Sequence, residues 1–296
     1  MTGGGVSTVA HAVEDSFLEM GADPTYRQLG KNITITDLSL RNELLRIRDP
    51  DDPQAIKAQA QNLESAINIE ATITTDDWHD LVFNDGGTTF QSGRPVFSRW
   101  WIGIDYLDGT AERVLKGAIV TQVQLQYTQG AELRLSMNLL VADEEKNAAI
   151  TPTSVEKSND VRMWHDFDLS VDDVSDVDCA KLQSATLQID TGARFHRGGG
   201  RKACDAVIGA IDTTLTTDAI FTEASDDRLE IAYGGIGSTS PQESIDAVDA
   251  TLSVMGTDYS LTGMKPNTYN WGDVVDPESD TTDNVEYHVP QIEVAV

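Results

Sequence analysis

The run Asp172-Asp173-Val174-Ser175-Asp176-Val177-Asp178 packs carboxylates closely enough to offer oxygen ligands to calcium. It lacks the glycine and the terminal glutamate of an EF-hand loop, so a solvated acidic loop accounts for it better. The one basic concentration is Arg194, His196, Arg197, Arg201 and Lys202 around Gly198-Gly199-Gly200. Cations beside glycines can grip a phosphate, but neither the spacing of a P-loop nor a strand-to-helix order surrounds them. In a chain dominated by acids, this loop is expected to pair with carboxylates on a neighbouring copy.

The remaining reactive side chains are dispersed. His11, His79, His165, His196 and His288 include no pair at the helical spacing of a zinc site, and Asp77 beside His79 reads as incidental. Cys179 and Cys204 form no C-x-x-C pair and read as two ordinary thiols. No G-x-S-x-G elbow is present. Catalytic, cofactor and metal sites are therefore all assigned as none, and the chain reads as a non-enzyme. The Trp100-Trp101 pair is expected to pack in a core or an interface rather than to bind sugar.

Chemistry of this kind gives way to questions of surface and scaffold. Of 296 residues, 49 are acidic and 21 basic, a formal net charge of −28. Asp outnumbers Glu about two to one, Lys is scarcer than Arg, and the acids are scattered rather than gathered in a tail. That is the surface of a protein from a salt-loving source. Molar salt shortens the Debye length to about 3 Å, which screens self-repulsion while hydrated carboxylates keep the protein dispersed. Hydrophobic residues make up 40%, enough for a real core in one large or two modest domains. Met-Thr-Gly-Gly-Gly-Val-Ser at the start lacks the basic and apolar regions of a signal peptide, and no run approaches the ~20 apolar residues that span a bilayer. A protein without a membrane role, soluble or part of a soluble assembly, is expected.

Period-two alternation dominates. Ile119, Val123, Leu125 and Tyr127 interleave with Gln122, Gln124 and Gln126, and Gln129-Gly130 turns the chain. Leu133, Leu135, Met137 and Leu139 then interleave with Glu132, Arg134, Ser136 and Asn138, completing a hairpin with one buried and one wet face. Similar runs occur at Ile67-Ile69-Ala71-Ile73, Ile102-Ile104-Tyr106, Ala185-Leu187-Ile189, Val248-Ala250-Leu252-Val254 and Val285-Tyr287-Val289. Short helices are predicted over Ala12–Met20, from an Asp52-Pro53 start through Ala66, and from Asp76 or Asp77 through Phe83. Polar stretches at 142–159, 234–244 and 267–283 read as loops.

One internal match stands out. Ile69-Glu70-Ala71-Thr72-Ile73-Thr74-Thr75-Asp76 lies over Ile211-Asp212-Thr213-Thr214-Leu215-Thr216-Thr217-Asp218, with a strand before each copy and a helix-like turn after it. A duplication is one reading; chance likeness between Thr-rich acidic strands is the other.

The stretch from Leu115-Lys116-Gly117-Ala118-Ile119-Val120 through Gln129-Gly130 to Leu139-Leu140-Val141 resembles the central hairpin of the tail tube proteins of long-tailed viruses. Ile69 to Phe83 is similar to that family's strand and Trp-containing segment, Arg99-Trp100-Trp101-Ile102-Gly103-Ile104 to the strand before the hairpin, and Leu182 to Phe195 to the strand after the linker. The likeness runs in order from about Asn32 to the C-terminus. It departs in the acidic surface and in the length of 42–66.

The resemblance implies a mainly β, antiparallel sandwich or barrel with short flanking helices. Residues 1–31 would be an N-terminal arm, 32–141 a first tube-like domain, 142–163 a linker or long loop, and 164–296 a second tube-like domain. It further implies inner sheets joined edge to edge into rings that stack as a hollow tail tube, through which DNA passes without specific binding. A duplicated chain would need three copies for a pseudo-sixfold ring, a single-domain chain six. Tape-measure, baseplate and tail-terminator proteins would be the partners, the virion tail of a virus of a halophilic archaeon the location, and the host cytoplasm the place of synthesis. A halophilic β-sandwich binding module, or another virion β-protein such as a decoration or baseplate subunit, is the competing reading.

Overall fold

The computed structural model describes residues 7–48, 50, 55–83, 89–90, 93–106, 109–146, 154–172, 174, 181–254, 256–276 and 279–295. Strands occupy 61% of the described residues and helices 7%, an antiparallel architecture curled like a half-barrel, as the alternation requires.

The chain lays down β1 (Ser7–Val13), β2 (Tyr26–Arg27), β3 (Gly30–Arg41), β4 (Leu44–Arg48), β5 (Ala55–Ala60) and β6 (Glu64–Ile73). The single-turn α1 (His79–Val82) precedes β7 (Ser98–Tyr106), β8 (Gly109–Thr128), β9 (Arg134–Val141) and β10 (Asp143–Lys146). After β11 (Val155–Glu156) and a 3-10 turn at Trp164–Asp166 come β12 (Phe167–Val171), β13 (Leu182–Asp190), β14 (Arg194–Arg197), β15 (Ala203–Val207) and β16 (Asp212–Ile220). The chain ends with α2 (Glu223–Tyr233), β17 (Val248–Val254), β18 (Thr257–Gly272), β19 (Thr282–Val289) and β20 (Gln291–Ala295).

The main sheet runs β3-β6-β9-β8 and continues without a break as β13-β16-β19-β18. The two stretches have the same construction. A hairpin, β4–β5 or β14–β15, separates the first two strands of each, and a helix follows the second. The long strands β8 and β18 each leave the main sheet. Their first parts pair with β7 and β10, or with β17 and β20, and β1 or β12 borders the result. β-Bulges fall at matching places: Ser98/Trp100 with Val248/Ala250, Val120/Gln122 with Pro266/Thr268, and Lys31/Thr34 with Leu182/Ser184. Where each long strand turns between sheets stands a glycine at positive φ, Gly117 at 59° and Gly263 at 73°. A side chain at either position would be strained.

Alternation puts Ile67, Ile69, Val123, Leu125, Leu135, Met137, Leu187, Leu215 and Tyr287 on one face, in a core shared by both stretches. Tyr127 stacks on Phe167 at 4.4 Å and Trp78 on Tyr259 at 6.2 Å, so each stretch fills the core of the other.

Four local expectations are corrected. Ala12–Met20 is no helix: β1 runs to Val13, and Val9, Ala10, His11 and Ala12 are all buried, which hides the strand period. The helix expected through Ala66 is replaced by β5, hairpin-paired to β4, and by the start of β6, so tertiary pairing overrides the helix propensity of Ala and Gln; Asp52 and Pro53 lie outside the described residues. The 142–159 loop contains β10 and β11, with 147–153 outside the described residues. The 267–283 loop is strand as far as Gly272 and again from Thr282. The turn of helix expected before Phe83 is α1, and 234–244 is irregular.

Candidate functional site

Among the described residues, no group of three or more His, Cys, Asp or Glu side chains gathers as metal ligands would. Asp172 donates its backbone N–H to Asp249 at 2.8 Å, whereas Asp173, 175–178 and Cys179 lie outside the described residues. Cys204 is exposed, its thiol 3.2 Å from the His196 carbonyl.

The basic loop is engaged within its own chain. Arg197 Nη1 donates to the Leu63 carbonyl at 2.9 Å, Arg201 Nε to the Gln61 carbonyl at 2.9 Å and Arg201 Nη2 to Asn42 Oδ1 at 2.7 Å. Lys202 Nζ meets Asp143 at 2.6 Å. Arg197 and Arg201 fasten the β14–β15 hairpin to the base of β4–β5, and Lys202 ties it to β10. Trp100 and Trp101 are buried in β7.

Buried polar pairs hold the framework. Glu14 accepts from Arg99 Nε at 2.9 Å, from Leu18 N at 3.0 Å and from Gly117 N at 3.3 Å, tying β1 to β7 and to the bend of β8. Burial still pushes its carboxyl upward against the pull of Arg99. Arg228 of α2 donates through Nη1 to both Asp283 oxygens, at 2.9 and 3.0 Å. His79 Nε2 and the Tyr259 hydroxyl lie 2.6 Å apart, and Asp76 accepts from Thr257 at 2.8 Å, joining the α1 region to β18. Burial lowers the His11 imidazole to about 4, with Asp77 opposing and Arg27 adding to the shift.

The feature with the most consequence is the sheet itself. Between β8 and β13 an apolar stripe (Val123 opposite Ile189, Leu125 opposite Leu187) lies on the core face, and glutamines line the other. Gln124 Nε2 donates to Gln188 Oε1 at 2.6 Å, Gln188 Nε2 to Asp190 at 2.8 Å and Asn138 Nδ2 to Gln122 Oε1 at 2.8 Å. At the sheet's two ends, among the described residues, β3 pairs only with β6, and the Lys265–Gly272 part of β18 pairs only with β19. Open edges of this length are what most proteins blunt or cover. Leu40 and Trp271 stand exposed on them. Sequence reasoning placed a strand over Ile33 to Leu40, within β3, but did not mark it as an edge, and it did not single out Tyr269 or Trp271. The repeated Gly117 and Gly263, each opening the part of a long strand that joins the main sheet, were the signal that could have led to them.

A continuous curved antiparallel sheet with an open edge at each end presents two strand edges through which copies of a chain can pair. The sequence model of the phage tail tube protein family matches residues 4–274, most of the chain, and the chain belongs to that family. No curated protein matches the chain. The protein is thus a structural component of a virion tail, and its subunits assemble into a tube.

Proposed function

We propose that three copies of this chain close one ring of the tail tube, and that stacked rings form the hollow conduit for the viral genome. The observation that carries this is the repeated order of pairings. Each chain supplies two equivalent β units, from β1 to β10 and from β12 to β20, so three chains supply the six units of a ring. We read the chain as a duplication on the same ground, with the strand β1 belonging to the first unit rather than to a separate arm. The glutamine-lined face is the wall of the lumen in this reading, because the opposite face is the core. Glu70, Asp190, Asp212, Asp218 and Glu286 point to that same side and would repel phosphates, avoiding the contacts that hold DNA in place. The exposed hairpin β4–β5, with Leu44, Leu45 and Ile47, offers apolar surface for the next ring. Tape-measure, baseplate and terminator proteins complete the tail, and the net charge of −28 suits a virus of a salt-loving archaeon.

Electron microscopy of the purified protein in about 1 M salt, where the Debye length is about 3 Å, tests the reading. Tubes whose end views show threefold rings of six lobes are expected; rings of six chains, or persistent monomers, would overturn it.

A further inference from the structure

The internal seam between β8 and β13 specifies the seam between chains. We propose that the open part of β18 (Lys265–Gly272) of one copy pairs antiparallel with β3 of a second copy in one register, with Leu38 opposite Trp271 and Leu40 opposite Tyr269. This rests on the ring reading and adds the surface and the alignment that close it.

The register follows from the two stretches of sheet. The bulge in β8 at Val120/Gln122 corresponds to that in β18 at Pro266/Thr268, so Val123 corresponds to Tyr269 and Leu125 to Trp271. Val141 and Val289 close β9 and β19, and they lie opposite Ser65 of β6 and Thr213 of β16, which makes Ser65 and Thr213 equivalent. Ile189 lies opposite Thr213, and Leu40 lies opposite Ser65. Ile189 therefore corresponds to Leu40. One alternation further along, Leu187 opposite Leu215 corresponds to Leu38 opposite Ile67. Transferring the internal pairs Val123–Ile189 and Leu125–Leu187 then gives Tyr269–Leu40 and Trp271–Leu38. The polar pair Gln124–Gln188 becomes Asn270–Ser39.

The chemistry at the edges agrees with that alignment, although exposure played no part in deriving it. Inside the internal seam the stripe residues are 1–3% exposed, whereas Leu40 is 44% and Trp271 49% exposed. These two continue the stripe at the open edges, where Trp271 is held by its Nε1–H bond to the Tyr269 hydroxyl at 2.9 Å and by edge contact with Phe221. An open groove of about 540 Å³, lined by Leu229, Ala232, Tyr233, Pro266, Tyr269 and Trp271, runs along the β18 edge and leaves room for incoming apolar side chains. Pairing with β6 already fixes the face of Leu38 and Leu40, so a slip of one residue would set them beside residues of β18 that face the other way, which the pleat forbids, whereas a slip of two keeps the faces and sets Leu38 opposite Tyr269. The Leu38 carbonyl already accepts from Arg113 Nη1 at 3.2 Å, and its second lone pair remains for a strand partner.

Disulfide trapping provides the test, in a full-length background with Cys179 and Cys204 changed to Ser. The pair S39C/N270C places two Cβ atoms directly opposite across the proposed seam, about 4.5–5.5 Å apart, so that a shift of about 1 Å brings them to disulfide distance. The pair S39C/T268C represents a slipped register, and Q124C/Q188C in the internal seam reports that the chemistry works. After oxidation of assembled tubes, denaturing gels of S39C/N270C should show covalent dimers and a ladder that ends at trimer, while S39C/T268C stays largely monomeric. Stronger trapping of the slipped pair, or no trapping of S39C/N270C in tubes that microscopy shows to be intact, overturns the register and leaves the ring reading standing. A ladder that ends at hexamer keeps the register and overturns three-chain closure. Absence of rings for both the parent and the variants overturns both. As a second variant, L40E alters an exposed side chain and should leave the chain folded but unable to form rings; intact rings would also count against the proposal.

Discussion

The buried pair Arg228–Asp283 offers a quantitative test of how α2 is held beside the open edge of β18. Asp283 sits on β19 opposite Ala219 and Trp271, and its two oxygens accept the Arg228 Nη1 at 2.9 and 3.0 Å. Burial pushes its carboxyl up, and Arg228 pulls it back, so desolvation opposes the attraction between the two charges. Asp283→Ala would strand the guanidinium in the interior, at a cost of about 3–5 kcal/mol. With an unfolding entropy of about 2.1 cal/mol/K per residue, 296 residues give about 0.6 kcal/mol/K, so a loss of about 4 kcal/mol lowers Tm by about 6 °C. Arg228→Leu/Asp283→Leu removes both charges and should recover most of the loss, because a desolvated pair has little net advantage over apolar packing. Calorimetry in about 1 M KCl, with urea midpoints as a second measure, distinguishes the cases. An Asp283→Ala variant within about 1 kcal/mol of the parent would refute the reasoning. So would a double variant as unstable as the single one, since that would mean the pair itself, rather than the stranded charge, sets the cost.

Two further outcomes follow from the electrostatics. The folded state holds His11 at about 4 against an ordinary value of 6.5, so its contribution to stability is complete above 6.5 and declines as the pH falls through that window. The total is about 3 kcal/mol, and the difference in urea midpoint between the parent and His11→Phe should change over this range; parallel pH profiles would count against it. With a net charge of −28, Tm should rise as KCl goes from 0.1 to 1 M and the Debye length contracts from about 10 to about 3 Å, and a flat or falling response would contradict a surface built for salt.

Much of the sheet was legible because alternation is a local signal. The Gln122–Gln126 and Leu133–Leu139 runs gave the β8–β9 hairpin directly, and Gly130 marked its turn at φ 81°. Strands without alternation were not legible: β1 buries consecutive side chains, so its pattern mimicked a helix. The helix α2 was legible only as a helix-like turn after Asp218, because its buried face is made of Ala224, Ser225, Arg228 and Ile231, where a buried arginine breaks the apolar period. The match of Ile69–Asp76 with Ile211–Asp218 fell on corresponding strands, β6 and β16, but in another register: pairing makes Glu64 the counterpart of Asp212. Thr-rich alternation resembles itself at any even shift, and only the bulges fix the alignment. The open edges were invisible in sequence because an edge is defined by which partner is missing.

On the three-copy reading, duplication changes how a ring is built. Half of its seams form inside a chain at a fixed effective concentration, leaving only the others to depend on the concentration of free subunits. Covalent linkage also releases the two kinds of seam from having to be identical. The internal one is filled by Val123, Leu125, Leu187 and Ile189, small aliphatic side chains that fold with the core. The outer one presents Tyr269 and Trp271 against Leu38 and Leu40. Tyr and Trp are the residue types that concentrate binding energy at interfaces formed by association. An exposed aromatic edge invites wrong pairings, and a surface carrying 49 acidic residues discourages them, since copies repel unless salt screens them and register brings the stripes together. The acidity that suits a saline environment therefore also restrains the edge until the correct partner closes it.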